Sequence, residues 1–156
     1  LDLARSTDSS ESRMPLDLDS LLESVVEDAA DAGANIAFDQ RCERVLKLRP
    51  LAMRRVFSNL VDNALKYGGR ATVRAWCEGR EVMVTVTNPC ASIPEDHIQS
   101  LFEPFVRLEA SRSRDTGGVG LGLTIARTLA AREGAELTLA NVVGGIEAKV
   151  HWRNAS

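Results

Sequence analysis

Asn59 and Asn63, four residues apart and followed by Lys66 and Tyr67, are residues whose types and spacing could do chemistry together. In RRVFSNLVDNALKYGG, Arg54–Gly69, a helix turning about 100° per residue gathers these four within roughly a quarter of its circumference. Met53, Phe57, Leu60, Val61 and Ala64 gather on an adjoining face. That stripe would pack inward and leave two carboxamides, an ammonium and a phenol along one border. Asparagine is a middling helix former, so its recurrence at i, i+4 argues for a task beyond solvation. Carboxamide oxygens are hard donors suited to Mg²⁺, which brings phosphates with it, and Lys66 would neutralise those phosphates. A second stretch, GGVGLGLTIA at Gly117–Ala126, could cradle an anion. Its glycines let backbone approach closely, and the helix it opens offers free N–H groups and a positive dipole end. Taken alone, it also reads as a flexible loop and a helix start.

The elements that must position these residues follow from periodicity. Leu1–Pro15 reads as the frayed end of a helix, LDLAR, and then a polar, Ser-rich linker. Leu18, Leu21, Leu22, Val25, Val26 and Ala29 recur at helical spacing from Leu16 to Gly33, with Asp17 or Asp19 as N-cap. Ile36–Phe38 and Val45–Leu48 read as a β-hairpin across the charged QRCER segment. Pro50 opens the asparagine helix, where its missing N–H costs nothing, and Gly68-Gly69 ends it after Tyr67. Ala71–Cys77 and Glu81–Thr87 alternate around EGRE as a second hairpin. A short helix is expected over Ile93–Leu101 and a mobile, Ser/Arg-rich loop over Glu103–Gly118. Helix Val119–Arg132 and strands Glu136–Ala140 and Ile146–Trp152, joined at Gly144-Gly145, close the chain. This order predicts an α/β (α+β) two-layer sandwich. Its mixed, mostly antiparallel sheet would have about five to six strands, covered on one face by about three helices.

A chain of 156 residues suits one well-packed domain, and 44% hydrophobic with 26% charged residues is a globular composition. A net charge of −3 weighs against nucleic acid as the main partner, since backbone phosphates select basic faces. Cys42, Cys77 and Cys90 stand in unrelated contexts without a CxxC pair, as expected for reduced cytoplasmic thiols. No apolar run approaches the roughly 20 residues that span a bilayer. No signal-peptide pattern opens the chain, and the start at Leu1 suggests a fragment excised from a longer parent protein.

The motifs converge on a family. NLVDNALKYG resembles the N box of the ATPase superfamily that includes histidine kinases, DNA gyrase and the heat-shock chaperones. SLFEPFVR, Ser100–Arg107, is similar to the histidine-kinase F box, in which Phe102 and Phe105 would anchor the root of an ATP lid. Gly117–Ala126 resembles the G2 box. The likeness runs in order from Leu16 to Trp152, and it is to the catalytic, ATP-binding domain of a bacterial two-component sensor histidine kinase. It implies transfer of the ATP γ-phosphoryl group to a His on an upstream dimerisation hairpin. Asn59, Asn63 and Lys66 would be catalytic, with Asn63 holding Mg²⁺. Tyr67 would flank the adenine or ribose, Asn88 and Ile93 would stand at the base, and Phe105 at the lid. Arg107 and Arg112 would reach the terminal phosphates, with Gly118, Val119, Gly120, Leu121 and Gly122 around them. The implied partners are the upstream hairpin and a response regulator, in a membrane-anchored homodimeric parent whose catalytic domain is cytoplasmic. On this likeness residues 1–15 end the hairpin helix and link it to a catalytic domain over residues 16–156.

One motif departs from the pattern. Histidine kinases carry a G1 box, Asp-x-Gly-x-Gly-Ile-Pro, where this chain has Asn88-Pro89-Cys90-Ala91-Ser92-Ile93-Pro94. Asn88 can accept from the adenine amino group but lacks the charge that about doubles a hydrogen bond's strength. Cys90 and Ser92 bring Cβ atoms where the family has glycine, each costing about 1 kcal/mol if the backbone there needs positive φ. The alternative reading is therefore a pseudokinase or regulatory protein-binding module with weak or absent ATP binding; a serine kinase of the anti-sigma-factor type is a third. Neither His97, followed by Ile98, nor His151, followed by Trp152, fits a phosphoacceptor, which is expected upstream of LDLARS.

Overall fold

The computed structural model describes residues 11–90 and 122–155. In chain order the elements are β1 (Met14–Asp17), α1 (Leu18–Asp31), β2 (Asn35–Gln40), β3 (Val45–Leu48) and α2 (Pro50–Gly68). They continue with β4 (Arg70–Glu78), β5 (Glu81–Pro89), α3 (Gly122–Arg132), β6 (Ala135–Val142) and β7 (Gly145–Trp152). The expected helix over Ile93–Leu101, the loop over Glu103–Gly118 and residues 119–121 lie outside the described residues.

Alternation builds the main sheet. Val73, Val86, Ala148 and Leu139 stand side by side across β4, β5, β7 and β6, as do Ala75, Val84, Val150 and Leu137. These residues are buried under the helices, with Met53, Val56 and Phe57 of α2 fully enclosed. Burying a side chain such as Phe57 contributes about 1.5–3 kcal/mol. The order is β2-β4-β5-β7-β6, parallel between β2 and β4 and antiparallel elsewhere. The two-layer sandwich with a five-stranded mixed sheet agrees with the expected fold class. Among the described residues no helix is long and apolar enough to cross a membrane.

The first hairpin is a correction. β2 pairs in parallel with β4, while β3 pairs antiparallel with β1 in a separate two-stranded sheet. The reason lies in the connection. Asp19 accepts from Cys42 N at 3.0 Å and Glu43 N at 2.7 Å, and Glu43 takes a left-handed φ of 57°. The chain is thereby turned out of the main sheet before β3 begins, and inward-facing Leu46 meets Leu16 instead of a β2 residue. Asp17, not Asp19, caps α1, accepting from Ser20 N at 3.2 Å. Residues 14–17 form β1, where linker and helix start were expected, and α1 begins at Leu18.

Candidate functional site

α2 carries the polar border. Its buried residues are Met53, Val56, Phe57, Leu60, Val61 and Ala64, the expected stripe widened by Val56. At 100° per residue Val56 falls between Asn63 and Tyr67 around the helix but two turns earlier. The border is thus covered by packing near the start of α2 and open along its second half. Asn59, Asn63 and Tyr67 are half-buried there, and Lys66 is exposed.

Two contacts assemble the neighbourhood. Asn59 Nδ2 donates to Gly122 O at 3.1 Å, joining the asparagine helix to the first residue of α3. Among the described residues the Asn63 carboxamide has no hydrogen-bond partner, and Lys66 has no carboxylate partner. At the end of α2, Gly68 lies directly against Asn88: a Cβ there would stand 2.7 Å from Asn88 Cβ and 2.7 Å from Pro89 O.

Asn88, only 6% exposed, faces the helical layer from the end of β5, across from Ile146. Its Nδ2 donates to Pro89 O at 3.1 Å, which leaves Oδ1 as the atom able to accept from a ligand. Gly145 of β7 presses on the same residue, since a Cβ built on it would meet Asn88 O at 2.2 Å. Cys90 N donates to Gly144 O at 3.2 Å, and the Cys90 backbone is not in the left-handed region. The anticipated φ strain therefore does not arise at Cys90.

The described structure brings Asn59, Asn63, Lys66, Tyr67 and Gly122 onto two adjoining helices, with Asn88 at their edge. Ile93, Phe105, Arg107, Arg112, Gly118, Val119, Gly120 and Leu121 lie outside the described residues. So does His97, whereas His151 Nε2 lies 2.7 Å from Glu81 Oε1 on the sheet. Gly68 and Gly145 were missed as Asn88's neighbours. Each lies in a Gly-Gly pair that the sequence shows as a turn or stop, but nothing local ties either pair to Asn88.

Among the described residues no group of three His, Cys, Asp or Glu side chains could hold a metal by itself. A cation here would depend on Asn63 and on a ligand's own oxygens. That suits Mg²⁺, which commonly keeps few protein ligands and is carried largely by substrate phosphates.

A two-layer sandwich whose asparagine helix is bonded through Asn59 to the first residue of α3 has the arrangement of an ATPase domain of the histidine-kinase type. Residues 49–154 match the family model described as histidine kinase-, DNA gyrase B-, and HSP90-like ATPase, and the chain belongs to that family. It is 35% identical over 137 residues to the phosphate regulon sensor protein PhoR of Pseudomonas aeruginosa, covering 83% of this chain and 31% of that protein. To the sensor protein CutS of Streptomyces coelicolor it is 32% identical over 151 residues, covering 92% and 36%. The chain thus spans about a third of the length of these relatives. In fold it is similar to the nucleotide-free catalytic domain of histidine kinase ThkA, with a TM-score of 0.75 and 23% identity over 90% of this chain and 94% of that one. Full-length ShkA in complex with AMPPNP gives 0.79 and 24%, over 99% and 34%.

Proposed function

We propose that this domain binds Mg-ATP between α2 and α3 and delivers the γ-phosphoryl group to a histidine on a hairpin domain of the same protein. The observation that carries this is the Asn59–Gly122 bond, which sets the asparagine helix against the start of the glycine-rich helix, with Asn63 beside it unpartnered among the described residues. Asn63 Oδ1 would hold Mg²⁺, which when bound neutralises phosphate charge. Lys66 adds a cation at the same border, and Tyr67 flanks the base or ribose. Asn88 Oδ1 accepts from the adenine amino group, next to Ile93. Gly118, Val119, Gly120, Leu121 and Gly122 surround the phosphates with backbone N–H groups. Phe105 anchors the lid whose Arg107 and Arg112 reach the terminal phosphate, where a guanidinium fork matches the oxygens. Nothing here forms a covalent intermediate: positioning and charge neutralisation do the work, as is general for phosphoryl transfer.

In the whole protein, residues 1–15 would lead from the hairpin into a catalytic domain spanning 16–156. The parent would be a membrane-anchored homodimer with this domain in the cytoplasm, passing the phosphoryl group to a response regulator. Calorimetric titration of the domain with Mg-ATP, then radiolabelled ATP with the full-length protein, tests the reading. Micromolar to millimolar binding and an acid-labile, base-stable phosphoprotein are expected. No phosphohistidine at millimolar ATP would refute it.

A further inference from the structure

Arg49 occupies the N-cap of α2, and its side chain offers the first turn no acceptor. Ser, Thr, Asp or Asn is usual at that position, because first-turn N–H groups have no partner within the helix. Pro50 at the next position removes one such donor. The following two donate to a residue 40 positions earlier: Leu51 N to Glu11 Oε2 at 2.6 Å, and Ala52 N to Glu11 Oε1 at 3.2 Å. A carboxylate from the N-terminal segment therefore caps the helix that carries the site, at the end where the dipole favours negative charge.

The same segment also grips α3. Arg13 Nη2 donates to Arg132 O at 2.7 Å, and Arg13 Nε lies 3.5 Å from Glu133 Oε1. The Glu133 side chain, 1% exposed, accepts from Arg49 Nη1 at 2.7 Å and from Arg49 N at 3.1 Å. Arg49 Nε in turn donates to Glu11 O at 2.9 Å. Residues 11–13 thus fasten the start of α2 to the end of α3. Further along, the two helices are bridged again by Asn59 and Gly122.

We propose that Glu11 is a positioning residue for the nucleotide site, and this rests on the nucleotide-binding reading above. A helix is stiff along its axis. The seven residues from Ala52 to Asn59 rise only about 10 Å, so a loosened first turn is felt at Asn59. Glu11 and its ties hold α2 in register against α3, which keeps Asn59 on Gly122. The N-terminal segment is consequently a mechanical input to the site.

Four proteins test this: wild type, Glu11→Ala, Glu11→Gln and Asp17→Ala. Asp17 caps α1, which carries none of the site residues, so its loss is a matched cap removal elsewhere. The Asn59 side-chain amide resonances, recorded without nucleotide, read its bond to Gly122. Titration with Mg-ADP reads the site. Glu11→Ala is expected to move the Asn59 signals and weaken Mg-ADP about five-fold, with Glu11→Gln in between. Asp17→Ala should lower Tm comparably and leave both readouts at wild-type values. Unmoved Asn59 signals in Glu11→Ala, or equal loss of affinity in Glu11→Ala and Asp17→Ala, would overturn the proposal. If wild type bound no Mg-ADP, the nucleotide reading would fail by itself, and the Asn59 signals would still decide the positioning role.

Discussion

Replacing Gly145 with alanine puts the packing around Asn88 to a quantitative test. In the β5–β7 pair Gly145 stands opposite Pro89. Its φ is not in the left-handed region, so alanine meets no conformational penalty there. The obstacle is space. The added Cβ would lie 2.2 Å from Asn88 O and 3.1 Å from Asn88 C, whereas ordinary contact begins at 3.4 Å. The strands must therefore separate by about 1.2 Å (3.4 − 2.2). Both partners are main chain, so no rotamer change relieves the clash, and the upper end of the overpacking range, about 3 kcal/mol, applies. For a domain of this size that lowers Tm by about 6–12 °C. Because the displaced residue is Asn88, Mg-ATP affinity should fall as well. Thermal melts by circular dichroism and calorimetric titration measure the two effects. Two other glycine substitutions calibrate the stability effect. Gly144→Ala has open space but a φ of 77°, so it should cost about 1 kcal/mol. Gly122→Ala has open space and no positive φ, so its Tm should stay within about 1 °C of wild type. A Gly145→Ala protein that melts with Gly122→Ala would refute the close approach of β7 to Asn88.

Asn63→Ala should abolish Mg²⁺-dependent nucleotide binding while shifting Tm by less than about 1 °C, because the side chain is half-buried and unpartnered among the described residues; undiminished affinity in Mg²⁺ would contradict its assignment. Asn88→Asp restores a charged acceptor and should tighten ATP about ten-fold with GTP unchanged. The same change loses the Nδ2 donor to Pro89 O and should lower ligand-free stability by about 1 kcal/mol, measured by denaturant unfolding. Burial, and then the Asp19 carboxylate, raise the Cys42 thiol from 9.0 to about 11. The unfolded chain releases that proton near pH 9 while the folded one keeps it. This contribution to stability is complete below pH 9 and is lost as pH rises through 11. Iodoacetamide at pH 8, followed by mass spectrometry, should modify Cys42 more slowly than half-buried Cys77 and Cys90.

Much of the site could be read from local pattern. The asparagine helix and its polar border follow from a 3.6-residue period, and the β4–β5 and β6–β7 hairpins follow from turns at Gly79 and Gly144. Both depend on residues a few positions apart, whose geometry the backbone dictates directly. A strand pair that needs a distant partner has no such local signal. Ile36–Phe38 and Val45–Leu48 look like a hairpin because they are neighbours in sequence, yet Asp19 and Glu43 divert the chain between them. Likewise an arginine before Pro50 marks a helix start without a cap, but nothing local points to Glu11 as the group that supplies one.

What the sequence determined by itself was chemical type: two carboxamides, an ammonium and a phenol on one helix border, a glycine-rich helix start, and a neutral Asn88 where the family carries Asp. Tertiary structure decided which of those groups stay available. It covered the border at Val56 and left Asn63 without a hydrogen-bond partner among the described residues, spent Asn59 Nδ2 on Gly122, and held Asn88 between Gly68 and Gly145. The physical reason is that a side chain's type and helical angle are local properties. Whether its polar atoms already have partners depends on which distant backbone packs against them, and only the folded chain settles that.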